Sequence, residues 1–201
     1  MKRKITLLLI GLCVLLIPAA LLSKQRITLT PDSTASEIVR MSPDQVDPSL
    51  LPVTPIEKIH TTGVPPKIDI ETWRLEVFGE KVRNPISLSY DELLGMNMVE
   101  KKLLLICPSI FYDYAEWEGV LVSDILKQAR VRKNYNRIYF KAADGFRTGL
   151  DRDEIKGKLL FLALRVNGEV LPEEHGFPVR LVAEDILGGA WVKWITSIEV
   201  N

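Results

Sequence analysis

Residues 167–182 read NGEVLPEEHGFPVRLV, and residues 188–195 read GGAWVKWI. Two cations, Arg180 and Lys193, stand inside otherwise apolar runs. A charge in such a place has to be paired or has to face a bound anion, because burying it bare is expensive. An arginine and a lysine beside a glycine-rich backbone suit a phosphate-bearing ligand. The alternative is that both side chains snorkel outward from an edge strand. Asn167-Gly168 is a two-residue turn of the hairpin type, which makes residues 159–166 the strand before it. Residues 179–183 and 191–200 read as the strands after it.

Upstream, residues 73–78 (WRLEVF) alternate apolar and polar and stop at Gly79, the pattern of a half-buried strand. Ser89 with Glu92 three residues on forms a capping box and predicts a short helix. Residues 102–107 (KLLLIC) form a continuous apolar run halted by Pro108, a buried strand that ends on a cysteine. Residues 122–129 predict a helix capped by Ser123, with Ile125 and Leu126 on its core face. Residues 137–142 predict a further strand. Many short strands and few short helices give an α+β domain of mixed sheets rather than a doubly wound one.

The N-terminal part divides in two. Lys2, Arg3 and Lys4 precede an uncharged, mainly apolar run at residues 5–22. As a helix this run would span about 27 Å, close to the roughly 30 Å hydrocarbon core of a bilayer. The flanking basic residues place its start in the cytoplasm and the rest of the chain outside the cytoplasmic membrane. A cleavable signal peptide is the rival, but the run is long for one and no clean cleavage site follows. Residues 1–22 are therefore expected to be a single transmembrane anchor, and residues 23–59, rich in Pro, Ser, Thr and Asp, an extended linker. The folded domain is expected at residues 60–201.

The chain has 201 residues with 26 basic and 26 acidic side chains, a formal net charge of zero, so no electrostatic footprint for nucleic acid exists. Two cysteines, Cys13 and Cys107, make no disulfide framework. Cys107 reads either as a buried structural cysteine or as a thiolate, nucleophile or metal ligand, at a strand end. A Cys–His hydrolase would need His60 or His175 beside it, and a zinc site would need more ligands than these. Neither a dinucleotide fingerprint nor a phosphate-loop lysine motif occurs.

Taken together, the segment at 167–182, the VKWI that follows, the strand ending in Cys107, the WEGV at residues 117–120 and the ADGF at residues 143–146 resemble the molybdopterin-binding domain of the sulfite oxidase family. That family includes eukaryotic nitrate reductases and the periplasmic methionine sulfoxide reductase. The resemblance runs from about residue 60 to residue 200. It implies a molybdopterin cofactor with mononuclear molybdenum, ligated by Cys107 as catalytic and metal-binding residue. It further implies cofactor contacts from His60, His175, Arg180, Trp191 and Lys193. Tyr112, Asp113 and Tyr114 would line the substrate side. The implied activity is transfer of an oxygen atom to or from a small substrate, with electrons exchanged with a membrane or soluble carrier. Two departures favour a rival reading, a cofactor-free, membrane-anchored binding module on the same fold. Glu184-Asp185-Ile186-Leu187 replaces the family's Pro-Gly loop and makes that wall acidic, and no twin-arginine pair precedes the apolar run.

Overall fold

The computed structural model describes residues 25–201. The expected anchor at residues 1–22 lies outside these, and no helix among the described residues is long and apolar enough to cross a membrane. In chain order the elements are β1 (Ile27–Thr28), α1 (Ala35–Ile38), β2 (Val46–Asp47), β3 (Leu75–Phe78), β4 (Ile86–Leu88), α2 (Tyr90–Leu94), β5 (Met98–Cys107) and β6 (Phe111–Leu121). Then come α3 (Val122–Gln128), β7 (Arg137–Ala142), β8 (Arg147–Asp151), α4 (Arg152–Ile155), β9 (Leu160–Val166), β10 (Glu169–Val170), β11 (Arg180–Ala183) and β12 (Ile195–Val200). Short 3-10 turns at Glu173–His175 and Gly188–Ala190 lie between the last strands.

Two five-stranded sheets share one core. The first has the order β10-β9-β6-β5, with β11 also paired to β9; the second runs β4-β3-β12-β7-β8. The second is mixed, since β12 is parallel to β3 and antiparallel to β7. Phe161, Leu162 and Trp117 of the first sheet and Leu75, Phe140 and Ile198 of the second are all fully buried in that one core. The expected α+β architecture of mixed sheets with short helices is what forms. Ser89 caps α2 as its sequence predicts, accepting from the Glu92 amide while Glu92 reaches back to the Ser89 amide. Ser123 does not cap α3: the helix begins at Val122, with Leu121 at its cap, two residues before Ser123. Residues 111–121, for which the sequence predicts no strand, form β6. This strand is the second arm of a ten-pair hairpin, Met98↔Val120 through Cys107↔Phe111.

The expected extended linker is also different. From residue 25 on, the chain forms a packed strap across the outer face of this hairpin. Leu29, Ile38, Val46 and Leu51 are buried against Leu104, Ile106 and Tyr114, in a cluster separate from the main core. The strap is tied by backbone as well, from the Thr54 amide to the Tyr114 carbonyl (2.7 Å) and from the Ser109 amide to the Val39 carbonyl (2.9 Å). The physical cause lies in β5. Leu103 and Leu105 face the main core while Leu104 and Ile106 face the other way, so both faces need cover.

Candidate functional site

The β5–β6 hairpin, β11 and the turn before β12 enclose a cleft of about 290 Å³. Strand parity decides what reaches it. Leu105 and Cys107 on β5 and Phe111 on β6 share the inward face, with Cys107 and Phe111 direct cross-strand partners. Tyr112 and Tyr114 have the opposite parity and pack under the strap, so neither lines the cleft. Asp113 has inward parity but is 1% exposed and acts as an anchor. Its carboxylate accepts from the His60 amide (3.1 and 3.2 Å) and pairs with His60 Nδ1 (2.9 Å). The His60 ring, half exposed on the cleft wall, stacks on Phe111 with centroids 4.6 Å apart and an interplanar angle of 8°.

Cys107 is free and half buried at one side of the cleft. Burial pushes its thiol up from the ordinary value. Its thiolate form therefore needs a compensating positive charge. No hydrogen bond joins it to either histidine among the described residues, which leaves the Cys–His hydrolase reading without its base. Among the described residues no group of three or more His, Cys, Asp or Glu side chains converges either. A bare metal ion thus has no ligand set here, and a metal held by Cys107 would have to bring other ligands with it.

Across the cleft stands Arg180, the first residue of β11, paired with Ala163 of β9. It is 5% exposed, and burial pushes its pKa down to about 10, with Asp113 opposing. Nη1 donates to the His175 carbonyl (3.1 Å), but the buried Nε has no partner. The guanidinium lies over the Trp117 ring at 4.8 Å and near the Trp191 ring at 5.9 Å. An arginine with no carboxylate in salt-bridge range among the described residues and an orphaned donor is built to receive an anion.

Lys193 completes this wall. Its ammonium donates to the carbonyls of Thr62 and Glu174 and lies 4.1 Å from the Trp194 ring centroid. Burial first, then the nearby Arg180, pushes its pKa down to about 8. Gly176 sits between the two cations with φ +117°, and a Cβ there would lie 3.0 Å from the Cβ atoms of both Arg180 and Lys193. Trp191 is buried with its Nε1 donating to the Ile186 carbonyl (3.0 Å) and still lines the cleft.

Five of the six sequence-named residues therefore border one cleft: His60, Cys107, Arg180, Trp191 and Lys193. His175 does not. It is 2% exposed behind the wall, and its contribution is the carbonyl that receives Arg180. Burial, then the charge of Arg180, holds its imidazole below the ordinary value and so neutral. The sequence reading missed Phe111, Phe146 and Trp194, which also line the cleft. Trp194 has φ +53°, a strained conformation for a bulky residue that no sequence pattern announces. The acidic loop is displaced from the role expected of it. Asp185 turns away from the cleft to pair with Arg26 of the strap at 2.5 Å, and Glu184 joins it on that outer side. The glycines at 188 and 189 form the cleft wall instead, and a Cβ added at Gly189 would meet nothing within 4 Å.

A family model described as the oxidoreductase molybdopterin binding domain matches residues 61–201. The uncharacterized oxidoreductase YuiH of Bacillus subtilis is 30% identical over 156 residues, spanning 77% of this chain and 78% of that protein. The mitochondrial sulfite oxidase of Rattus norvegicus is 30% identical over 165 residues, spanning 68% of this chain but only 30% of the larger protein. Among solved structures, the sulfane dehydrogenase SoxCD from Paracoccus pantotrophus superposes with a TM-score of 0.62 at 22% identity, over 68% of this chain and 40% of that one; it shows the same fold. The chain belongs to the molybdopterin-binding oxidoreductase domains of the sulfite oxidase type.

Proposed function

We propose that this domain holds a molybdopterin cofactor and transfers an oxygen atom to or from a small substrate on the outer side of the cytoplasmic membrane, tethered there by residues 5–22. A single observation carries the cofactor reading. The cleft sets a partly open thiol, Cys107, opposite a buried guanidinium whose Nε lacks a partner. A soft sulfur donor on one wall and an unpaired cation on the other fit a ligand that is a metal at one end and an anion at the other. The open space beside Gly189 leaves room for such a ligand's body.

When bound, the molybdenum cofactor supplies the two-electron redox chemistry. The chain's own residues would bind and orient it. The Cys107 thiolate is the protein ligand to the metal. Arg180 neutralises the anionic end, and Lys193 adds a second positive charge beside it. Trp117 and Trp191 shield the Arg180 charge from water. The pairing of His60 Nδ1 with Asp113 fixes the ring on the cleft wall and leaves its other ring nitrogen for a bond with a group in the cleft. Because the acidic loop faces the strap, one of the two features that favoured a cofactor-free binding module loses its force. Electrons would pass to or from a separate membrane or soluble carrier.

The test is metal content. Protein purified from its native host should carry molybdenum in near-stoichiometric amount. Cys107→Ser should lose it while keeping the circular-dichroism spectrum of the parent. Native-host protein free of molybdenum, with Cys107→Ser unchanged in every property, would sink the cofactor reading and leave the fold assignment standing.

A further inference from the structure

Residues 184–190 carry the chain from the end of β11 to the glycine wall of the cleft and belong to no strand. Asp185 has φ +58°, the left-handed region that a residue with a side chain enters at a cost. Two cations from distant parts of the chain hold it there. Arg26 of the strap pairs with its carboxylate at 2.5 Å, and Lys158, between α4 and β9, donates to its carbonyl (3.0 Å). The Glu184 amide is tied as well, to the Leu159 carbonyl (2.9 Å).

The residues that follow carry this hold into the cleft. The Ile186 carbonyl receives the indole N–H of Trp191 (3.0 Å). The Leu187 carbonyl receives the Ala190 amide and the Gly188 carbonyl the Trp191 amide, both at 3.0 Å. Gly188 lies so close to β5 that an added Cβ would stand 3.0 Å from Leu105 Cδ2 and 3.1 Å from the Ile106 carbonyl oxygen. Cys107 is the next residue on that strand. One turn thus joins an ion pair on the outer side to Gly188, Gly189 and Trp191 on the cleft side. Only Ile186 and Leu187 separate Asp185 from Gly188, too few residues to absorb a change in its backbone.

We propose that Asp185 is a positioning residue of the cleft. Clamped by Arg26 and Lys158, it fixes the wall made by Gly188, Gly189 and Trp191, and the strap thereby sets how long the cleft keeps its ligand. The claim on the ligand rests on the cofactor reading above. The pair is partly exposed, with side chains 41% and 18% accessible, so its loss should loosen this turn and leave global stability nearly unchanged.

The full chain, purified in detergent from its native host, tests it with two readouts. Asp185→Asn removes the charge and keeps a residue type that tolerates positive φ. Arg26→Gln removes the partner, and Arg26→Lys restores a cation. Hydrogen–deuterium exchange with mass spectrometry compares the amides of residues 186–192 with those of β9. Metal analysis during dialysis follows the loss of molybdenum. Asp185→Asn and Arg26→Gln should speed exchange at 186–192 about two- to fivefold, the range a partly exposed ion pair supplies, with β9 unchanged. Molybdenum should be lost faster by a similar factor, and Arg26→Lys should recover most of both effects. Unchanged exchange at 186–192 overturns the clamp. Exchange raised alike in β9 overturns it too, since the pair then serves the whole fold. Arg26→Lys behaving like Arg26→Gln removes the charge pairing as the cause. A loosened turn with unchanged molybdenum loss overturns the link to the ligand. Parent protein free of molybdenum sinks the cofactor reading and the claim on retention with it, while the exchange data judge the clamp by itself.

Discussion

In protein made without cofactor, Arg180→Met should leave the fold about as stable as the parent, or slightly more so, although it alters a fully buried residue. The reason is the sign of the burial effect. A base whose pKa is depressed on folding is penalised while charged, and the penalty is fully present below its folded value. The drop of the Arg180 pKa from its ordinary value to about 10 corresponds to about 3 kcal/mol at neutral pH, relieved only as the pH rises above about 10. Against that relief stand the bond to the His175 carbonyl, worth about 1 kcal/mol, and the contacts with Trp117 and Trp191, worth about 1–2 kcal/mol. The net change is within about 1 kcal/mol of zero, far from the roughly 2–5 kcal/mol that losing a large core side chain costs. Methionine fills most of the volume and brings no charge. Urea unfolding at pH 7, comparing midpoints at constant slope, reads the difference. In the native host the same variant should lose its cofactor. A loss of more than about 2 kcal/mol in the unloaded protein would mean that Arg180 is already satisfied by the fold, and the anion-site argument would fail.

Other expectations follow from the same geometry. Lys193 has its pKa lowered to about 8, so its penalty is complete below pH 8 and lifts as the pH rises to 10.5; the melting temperature of Lys193→Met should lack the rise that the parent shows over that window. Gly176→Ala should destabilise the fold and lower cofactor retention together, since its Cβ would press on both cations at φ +117°; an unchanged thermal scan and unchanged molybdenum content would contradict this. Ile38→Ala should cost about 2–5 kcal/mol in urea unfolding, because Ile38 of the strap is fully buried against the hairpin. A change below about 0.5 kcal/mol would return residues 25–59 to the status of a linker.

Much of the cleft was legible because its residues violate local expectation. Arg180 and Lys193 stood out as charges in apolar runs, and Cys107 as the end of a strand. What failed was the second face of that strand. The run KLLLIC was read as buried, but a strand apolar at every position has two faces to cover, and only the N-terminal segment was left to cover the second. The covering residues, Leu29, Ile38, Val46 and Leu51, are too widely and irregularly spaced to show any period. Asp113, Tyr112 and Tyr114 were grouped because they adjoin in sequence. In a strand adjacency means opposite faces, and the hairpin register sends the tyrosines to the strap and the aspartate to His60. The acidic loop was assigned to the cleft because it stands where the resembling family has its Pro-Gly loop. Its ion-pair partner, Arg26, lies 159 residues away.

The strap explains how a cleft with such different walls keeps its spacing. β9 is the common reference: it pairs β6 on one edge and β11 on the other, so the hairpin bearing Cys107 and the strand bearing Arg180 are registered on the same backbone. Ladder hydrogen bonds fix the distance across the cleft more tightly than loops could. Yet Cys107 lies at the tip of β5, an edge strand, where the hairpin has no second neighbour. Fraying there would carry the sulfur away from Arg180. The strap removes that freedom from outside, through the Ser109–Val39 bond at the turn and the apolar contacts of Ile106 just before the cysteine. Residues outside the span matched by the family model thus hold in place the residue on which that family's chemistry would depend.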